Sequence, residues 1–291
     1  MSKIDISVII PCYNEEENIE KLLVELLQDS FLKECEIILV DDGSTDQTSS
    51  IIKKFTAVNF VKHPTNYGYG QALVTGMKSA NCSNIVWMDG DGQHQIKDVV
   101  KVSKALLPKE IDYVIGERGA SSHQEKSRLT GKFFLKAILK MSGVKYITDF
   151  NSGLRGFKTK LIIKYMHLLK GGFGASTTTT LILDGRNYHG KLITITTLKR
   201  GGKSSLNQIR DGMRTLLLIT RATLLFRPLR FFLSISCLFL FTGITYGVFV
   251  TFKDGTGFPV FGAMLFLTGV TTLLLGLISD QISQMRLEHF E

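Results

Sequence analysis

Cysteine is scarce: the four in this 291-residue chain, at 12, 35, 82 and 237, form no CxxC pair and no metal-ligand spacing. That argues against a disulfide scaffold and a structural zinc site, and it fits a reducing compartment. Proline is scarcer still for the length, five against 27 glycines with no repeated tract, which excludes collagen-like and low-complexity classes. No GxGxxG follows the first strand pattern, so the dinucleotide fingerprint is missing. Gly202-Lys203-Ser204 has the tail of a phosphate loop, but Thr197 stands where its leading glycine belongs. The first three residues run directly into a strand pattern, so no secretory leader is expected.

Acidic residues are nearly absent from one stretch. Between residues 186 and 230 there are ten Lys or Arg and one Asp, a local +9 that equals the excess of the whole chain. Such a stripe fits nucleic acid, an anionic membrane surface or a phosphorylated substrate. The residues after the stripe choose among these. Residues 231–252 and 255–279 contain no Lys, Arg, His, Asp or Glu. A bilayer core of ~30 Å needs ~20 apolar residues at 1.5 Å rise, so each run is long enough to span it. The link Lys253-Asp254 allows only a tight hairpin, and the spans are placed at about 231–252 and 257–279. Arg227, Arg230 and Arg286 flank the pair on one side, which places the N-terminal domain and both termini in the cytoplasm. A stripe running into a span does not fit nucleic-acid recognition. Residues 207–227 and 131–141 read as amphipathic helices with basic faces, suited to the headgroup layer. The expected organisation is a catalytic domain at 1–206, an interfacial helix at 207–228 and a transmembrane hairpin with a short tail at 229–291.

Residues 4–115 alternate strand and helix, with strand patterns at 4–10, 36–40, 60–61, 84–88 and 112–115. Pro11 is expected to end the first, and Asn14 to cap the next helix. The alternation predicts an α/β fold with a mostly parallel sheet covered on both faces, whose ligands bind at the carboxyl ends of the strands. Polar clusters fall at those ends. Asp89 and Asp91, either side of Gly90, leave one strand pointing the same way and suit Mg2+ or Mn2+ shared with a diphosphate. Bland readings attach to other residues: His94 as a structural neighbour of this loop, Cys12 as strand-end packing and Trp87 as core. The run Thr177-Thr178-Thr179-Thr180 is open between a polar helix face and a loop.

Five motifs occur in order: Pro11-Cys12-Tyr13-Asn14-Glu15-Glu16, Val40-Asp41-Asp42-Gly43-Ser44-Thr45-Asp46, Asn66-Tyr67-Gly68-Tyr69-Gly70, Met88-Asp89-Gly90-Asp91-Gly92-Gln93-His94 and Ser152-Gly153-Leu154-Arg155. Together they resemble the inverting glycosyltransferases of family 2, with a GT-A fold, in the branch that acts on dolichol and bacterial polyprenyl phosphates. The resemblance covers residues 4–230, and the two spans match the bacterial layout. It assigns Pro11, Tyr13, Glu15 and Asp42 to the nucleoside. It assigns Asp89, Asp91 and Gln93 to the diphosphate and its metal, and Asp149 to the acceptor side, so that Asp91 and Asp149 carry the chemistry. It implies a nucleotide-sugar donor, a polyprenyl-phosphate acceptor in the bilayer and an Mg2+ or Mn2+ cofactor. Arg118, Arg128, Arg200 and Lys203 are candidates for the acceptor phosphate, Arg for bidentate contact and Lys as a point charge. Two departures stand out: Ser176-Thr177-Thr178-Thr179-Thr180 replaces an acidic helix, and Gly116-Glu117-Arg118 replaces glycine-serine-arginine. Transfer to a glycan or glycolipid and a catalytically silent membrane-anchored partner are the alternatives. Self-association, as a homo-oligomer, is open.

Overall fold

The structure is a computed structural model that describes residues 4–119, 152–169, 174–184, 188–198, 228–255 and 257–288. The described residues divide into two compact units, which meet in sequence between 198 and 228. The expected interfacial helices at 131–141 and 207–227 lie outside the described residues.

The first unit is a seven-stranded sheet. Its strands are β1 (Ser7–Cys12), β2 (Glu36–Asp41), β3 (Asn59–Lys62), β4 (Asn84–Trp87), β5 (Tyr113–Arg118), β6 (Arg155–Lys158) and β7 (Gly190–Ile195). Their order is β3-β2-β1-β4-β6-β5-β7. β1 pairs in parallel with β2 and β4, β2 with β3, and β5 with β7, while β6 runs against both β4 and β5. The mostly parallel sheet read from the sequence is therefore present, with one reversed strand. Between the strands lie α1 (Ile19–Gln28), α2 (Thr48–Ile52), α3 (Tyr69–Ser79) and α4 (Ile96–Leu106), then α5 (Thr159–Lys164), α6 (Met166–Leu169) and α7 (Ala175–Asp184).

β1, β2 and β4 are almost continuously apolar because helices cover both of their faces. On one face Val8, Ile10, Leu39, Val86 and Val114 pack with Leu22, Leu23 and Leu26 of α1 and Val99, Val102 and Leu106 of α4. On the other, α3 presses Gly76 onto Ile9 and Val40, and Trp87 meets Phe157 at a ring separation of 4.5 Å. Each such side chain contributes about 1.5–3 kcal/mol by leaving water.

Strand and helix ends shift from expectation by a few residues, and two of the differences bear on the site. Pro11 lies inside β1, paired with Val40, because the β1–β4 ladder stops at Ile9 and Trp87. The N–H that proline lacks would have faced β4 beyond that ladder's end. Helix α1 starts at Ile19 rather than near Asn14, since the chain between them is spent on the loops of the candidate site.

At the opposite end of the sheet, Glu36 accepts from the Ser7 hydroxyl (2.5 Å), the Asn81 N–H (2.9 Å) and the Asn81 amide (2.6 Å). Burial works against its charge, but those hydrogen bonds outweigh it and hold the carboxyl below its ordinary value. Its stabilisation is therefore complete above the ordinary glutamate range and lost as pH falls through the lowered folded value. Glu36→Gln is expected to cost about 1 kcal/mol of unfolding free energy at pH 7. In urea titrations the gap from wild type should close in acid, and a gap independent of pH would remove the charge from the explanation.

The second unit is a hairpin of α8 (Pro228–Asp254) and α9 (Val260–Glu288). Both helices are long and apolar enough to cross a membrane, and only 17% of each apolar window is buried. A core helix of a soluble domain would be covered, so the exposed apolar surface associates with lipid. The helices approach closely where side chains are small: a Cβ on Gly243 would stand 2.8 Å from the Phe266 nitrogen. The Ser236 hydroxyl donates across the pair to the Gly269 carbonyl at 2.7 Å. On the outer surface Thr242, Thr245 and Thr268 each donate to the carbonyl four residues back, which satisfies hydroxyls that lipid cannot.

Candidate active site

The carboxyl ends of β1 and β2 carry two loops that lock together. Asn14 adopts φ +53°, its N–H donates to Ser44 Oγ (3.0 Å), and its Oδ1 accepts the Thr45 N–H (2.9 Å). The Glu15 N–H donates to Thr48 Oγ1 (2.8 Å), and Glu16 accepts the Gln47 N–H (2.9 Å). Asn14 is thus a cross-loop clamp rather than a helix cap. Pro11 lies near the end of β1, and Tyr13 and Glu15 on the loop that follows, with Tyr13 exposed and Glu15 buried and held at Oε2 by the Asn18 amide (2.9 Å). Cys12 beneath them is buried. Burial first, and then the carboxylates of Asp41, Glu15, Asp46 and Asp42, push its thiol well above the ordinary range, so it packs and does not react.

Asp41 and Asp42 are both buried. Asp41 accepts the Ser44 N–H (2.8 Å) and the Ser49 hydroxyl. Asp42 accepts the N–H groups of Tyr67 (2.9 Å) and Gly68 (2.7 Å), and His63 Nδ1 lies 2.7 Å from its Oδ1. An ionised carboxylate only accepts, so that ring nitrogen donates, while Nε2 lies 2.9 Å from the Thr75 hydroxyl.

Asp89 and Asp91 leave the end of β4 as the alternation predicts. The Tyr69 hydroxyl donates to Asp89 Oδ1 at 2.8 Å. His94 Nε2 stands 3.7 Å from Oδ2, and a Cβ on Gly153 would overlap the same carboxylate. Burial raises the Asp89 carboxyl, but His94, the Tyr69 hydroxyl and the charge of Arg118 outweigh it, and the group sits below its ordinary value. Burial and Asp89 together push the Tyr69 phenol well above its own range, so it stays a donor. Asp91 is half-buried and accepts the Gln93 N–H at 3.1 Å. These are hard oxygen donors and fit a divalent cation. Among the described residues no group of three or more His, Cys, Asp or Glu converges, so such an ion would complete its shell with substrate phosphates, as Mg2+ commonly does.

The same loop is joined to the chain after β7. The Leu198 N–H donates to the Gln93 carbonyl (2.9 Å), His94 bridges Thr197, and the Thr196 N–H donates to Asp98 (2.9 Å). His94 is buried with Nδ1 unpartnered among the described residues, in keeping with a neighbour of the loop.

Of the predicted residues, the structure gathers Pro11, Tyr13, Glu15, Asp42, Asp89, Asp91 and Gln93 at one rim of the sheet, with Arg118 at the end of β5. Asp149, Arg128, Arg200 and Lys203 lie outside the described residues. Two residues carry no role in the sequence pattern. Tyr69 is legible there only as a member of its motif. Arg155 is wholly buried and donates to the Ser152 carbonyl (2.8 Å), Thr179 (3.1 Å) and Thr180 (2.7 Å). Of the two readings left open for the threonine run, the helix face is the one observed, and its Thr179 and Thr180 are buried and receive the guanidinium.

Residues 7–167, more than half of the chain, match the profile of glycosyl transferase family 2, and residues 227–285 match the GtrB C-terminal hairpin. Among curated proteins, a UDP-N-acetylglucosamine–dolichyl-phosphate N-acetylglucosaminyltransferase of Methanococcus voltae is 30% identical over 62% of this chain and 80% of its own. An undecaprenyl-phosphate 4-deoxy-4-formamido-L-arabinose transferase of Aeromonas hydrophila is 25% identical over 96% of this chain and 89% of its own. Among solved structures, glucosyl-3-phosphoglycerate synthase of Mycobacterium tuberculosis, crystallised with Mn2+ and UDP, superposes with a TM-score of 0.58 at 19% identity, over 76% of this chain and 80% of that one. That likeness is one of fold, and the fold is GT-A.

Proposed function

Because the chain belongs to glycosyl transferase family 2, we propose that it moves one sugar from a nucleotide sugar to a polyprenyl phosphate at the cytoplasmic face of a membrane. The observation that carries this reading is the union, in one chain, of a carboxylate-lined rim at the strand ends and a lipid-exposed helical hairpin. The two curated relatives, which act on dolichyl and undecaprenyl phosphates, support the acceptor class. A UDP-sugar is the favoured donor, glucose first, with GDP-mannose the competitor.

The acceptor needs little activation. A phosphate monoester has a second pKa near ~6 and is largely dianionic at neutral pH. Its oxygen attacks the anomeric carbon as the bond to the nucleoside diphosphate breaks. A single displacement inverts that carbon, so an α-linked donor gives a β-linked lipid phosphate. Pro11, Tyr13, Glu15 and Asp42 form the nucleoside seat, and Asp149 orients the acceptor or takes up its residual proton. An Mg2+ or Mn2+ ion held by Asp89, Asp91 and Gln93 would neutralise charge on the leaving diphosphate. Arg118, Arg128, Arg200 and Lys203 supply the cationic seat for the acceptor phosphate. Arg200 and Lys203 come two and five residues after Leu198, whose backbone is bonded to Gln93.

The test is transfer of label from UDP- and GDP-sugars to undecaprenyl phosphate with Mg2+ or Mn2+ and an EDTA control. Metal-dependent, acid-labile label in the organic phase from one donor fixes the reaction and the sugar. Label in an acid-stable glycolipid or polymer would replace the acceptor, and no transfer despite nucleotide binding would favour a silent partner. Arg200→Ala is expected to raise the acceptor KM about tenfold, the order of one charged hydrogen bond, and to leave the donor KM within about twofold. Equal rises in both would take Arg200 off the acceptor.

A further inference from the structure

We infer that Tyr69 is the residue through which this site selects its ion: by fixing the Asp89 carboxylate it favours Mg2+ over Ca2+, acting as a positioning residue and not as a ligand. The inference rests on the reading of this rim as a nucleotide-sugar donor site.

Asp89 is restrained from its main chain outward. Just before it, the Met88 N–H donates to the Ile9 carbonyl (3.1 Å), which ties the end of β4 to β1. Just after it, a Cβ on Gly90 would stand 3.0 Å from the Pro11 carbonyl oxygen and 3.2 Å from the Cys12 Cβ, so the turn sits hard against the end of β1. The side chain is closed in from two directions. Gly153 and His94 lie on the Oδ2 side, with His94 Nε2 at 3.7 Å. Oδ1 takes the Tyr69 hydroxyl at 2.8 Å. That phenol is firmly mounted, because Tyr69 is the first residue of α3. The N–H groups of Gln71 (3.0 Å) and Ala72 (3.1 Å) close on the Gly68 carbonyl, and Gly76 of the same helix presses against Ile9 and Val40. Of all these restraints, the phenol hydroxyl alone can be removed without adding bulk or moving main chain.

Rigidity of this kind bears on ion choice. Mg2+ demands a near-ideal octahedron of oxygens at ~2.0–2.1 Å, whereas Ca2+ takes ~6–8 oxygens at ~2.3–2.6 Å in an adaptable shell. A carboxylate that cannot turn suits the smaller, stricter ion. Freed from its phenol, the same carboxylate can follow the larger one.

Binding of UDP and of GDP is measured by calorimetry on the full-length protein in detergent, with Mg2+, with Ca2+ and in EDTA. Thermal unfolding of the same samples is followed in parallel. Wild type should bind one of the nucleotides more tightly with Mg2+ than with Ca2+. Tyr69→Phe is expected to weaken Mg2+-dependent binding by about tenfold to a hundredfold, the order of one hydrogen bond to a charged group. Ca2+-dependent binding should weaken by less than about threefold, since its shell adapts, and binding in EDTA should stay at the wild-type value. The control is Tyr165→Phe, which deletes a hydroxyl that lies 2.9 Å from the Tyr188 hydroxyl. It should leave the preference for Mg2+ intact whatever it does to the melting temperature. Equal losses with both ions, a loss of the same size in EDTA, or an equal change of preference in Tyr165→Phe would overturn the inference. A wild-type protein that binds neither nucleotide refutes the donor site and the inference together. Nucleotide binding with no preference for Mg2+, or with the same preference in Tyr69→Phe, refutes the inference alone.

Discussion

Asp91→Asn should lower metal-dependent transfer by about a hundredfold to a thousandfold, the scale set by removing one charged or dipolar stabiliser of a developing anion. The substitution keeps the size of the side chain, and an amide oxygen still accepts the Gln93 N–H that shapes the loop. Only the negative charge goes. With it goes half of the carboxylate pair that would hold a divalent ion beside Gln93 and the substrate oxygens. Circular dichroism and the unfolding midpoint should match wild type. Titration of activity against Mn2+ should show saturation shifted to much higher concentration. A variant that turns over at the wild-type rate would move the metal away from Asp91.

The second large effect is expected from a single methyl group. Gly153 opens the segment into β6 with its Cα against the Asp89 carboxylate, and a Cβ there would overlap that group. Asp89 has a short side chain, clamped on its other oxygen by Tyr69, so it cannot step aside without losing that bond. Gly153→Ala is therefore expected to cut kcat/KM by about a hundredfold, the penalty of misplacing a reacting group by roughly 1 Å. The fold should persist, because the strand pairing of β6 begins only at Arg155. Full activity in Gly153→Ala would mean that the position of Asp89 is not critical. A loss of folding would locate the effect in the sheet instead of the site, and far-UV dichroism separates the two.

The strands that carry the donor side are legible in the sequence because each is a solid apolar run ending in polar residues. Ile9-Ile10 and Ile37-Ile38-Leu39-Val40 admit few alternatives to buried parallel strands. β6 is not legible in this way. Arg155-Gly156-Phe157-Lys158 mixes charge and glycine, and its buried guanidinium is acceptable only because α7 brings Thr179 and Thr180 over it from more than twenty residues away. Local pattern carries no trace of that pairing. Asn14 departs from expectation for a related reason: a cap and a cross-loop clamp use the same side chain, and only the neighbouring strand end, some thirty residues on, selects between them. The carboxylates of the site can be found from spacing, whereas the phenol that holds one of them cannot. Its partner lies twenty residues away on another strand end.

The reversal of β6 also has a bearing on how such a protein diversifies. β5 ends at Arg118, β6 begins at Arg155, and Ile115 pairs with Arg155, so the chain leaves and re-enters the sheet at one edge of the donor rim. The points at which the chain leaves β5 and returns to β6 are therefore both fixed by that register. A change of chain length between those points leaves the pairing of β5 and β6 unshifted. Lineages can therefore vary the chain between those two points while inheriting every strand end unchanged.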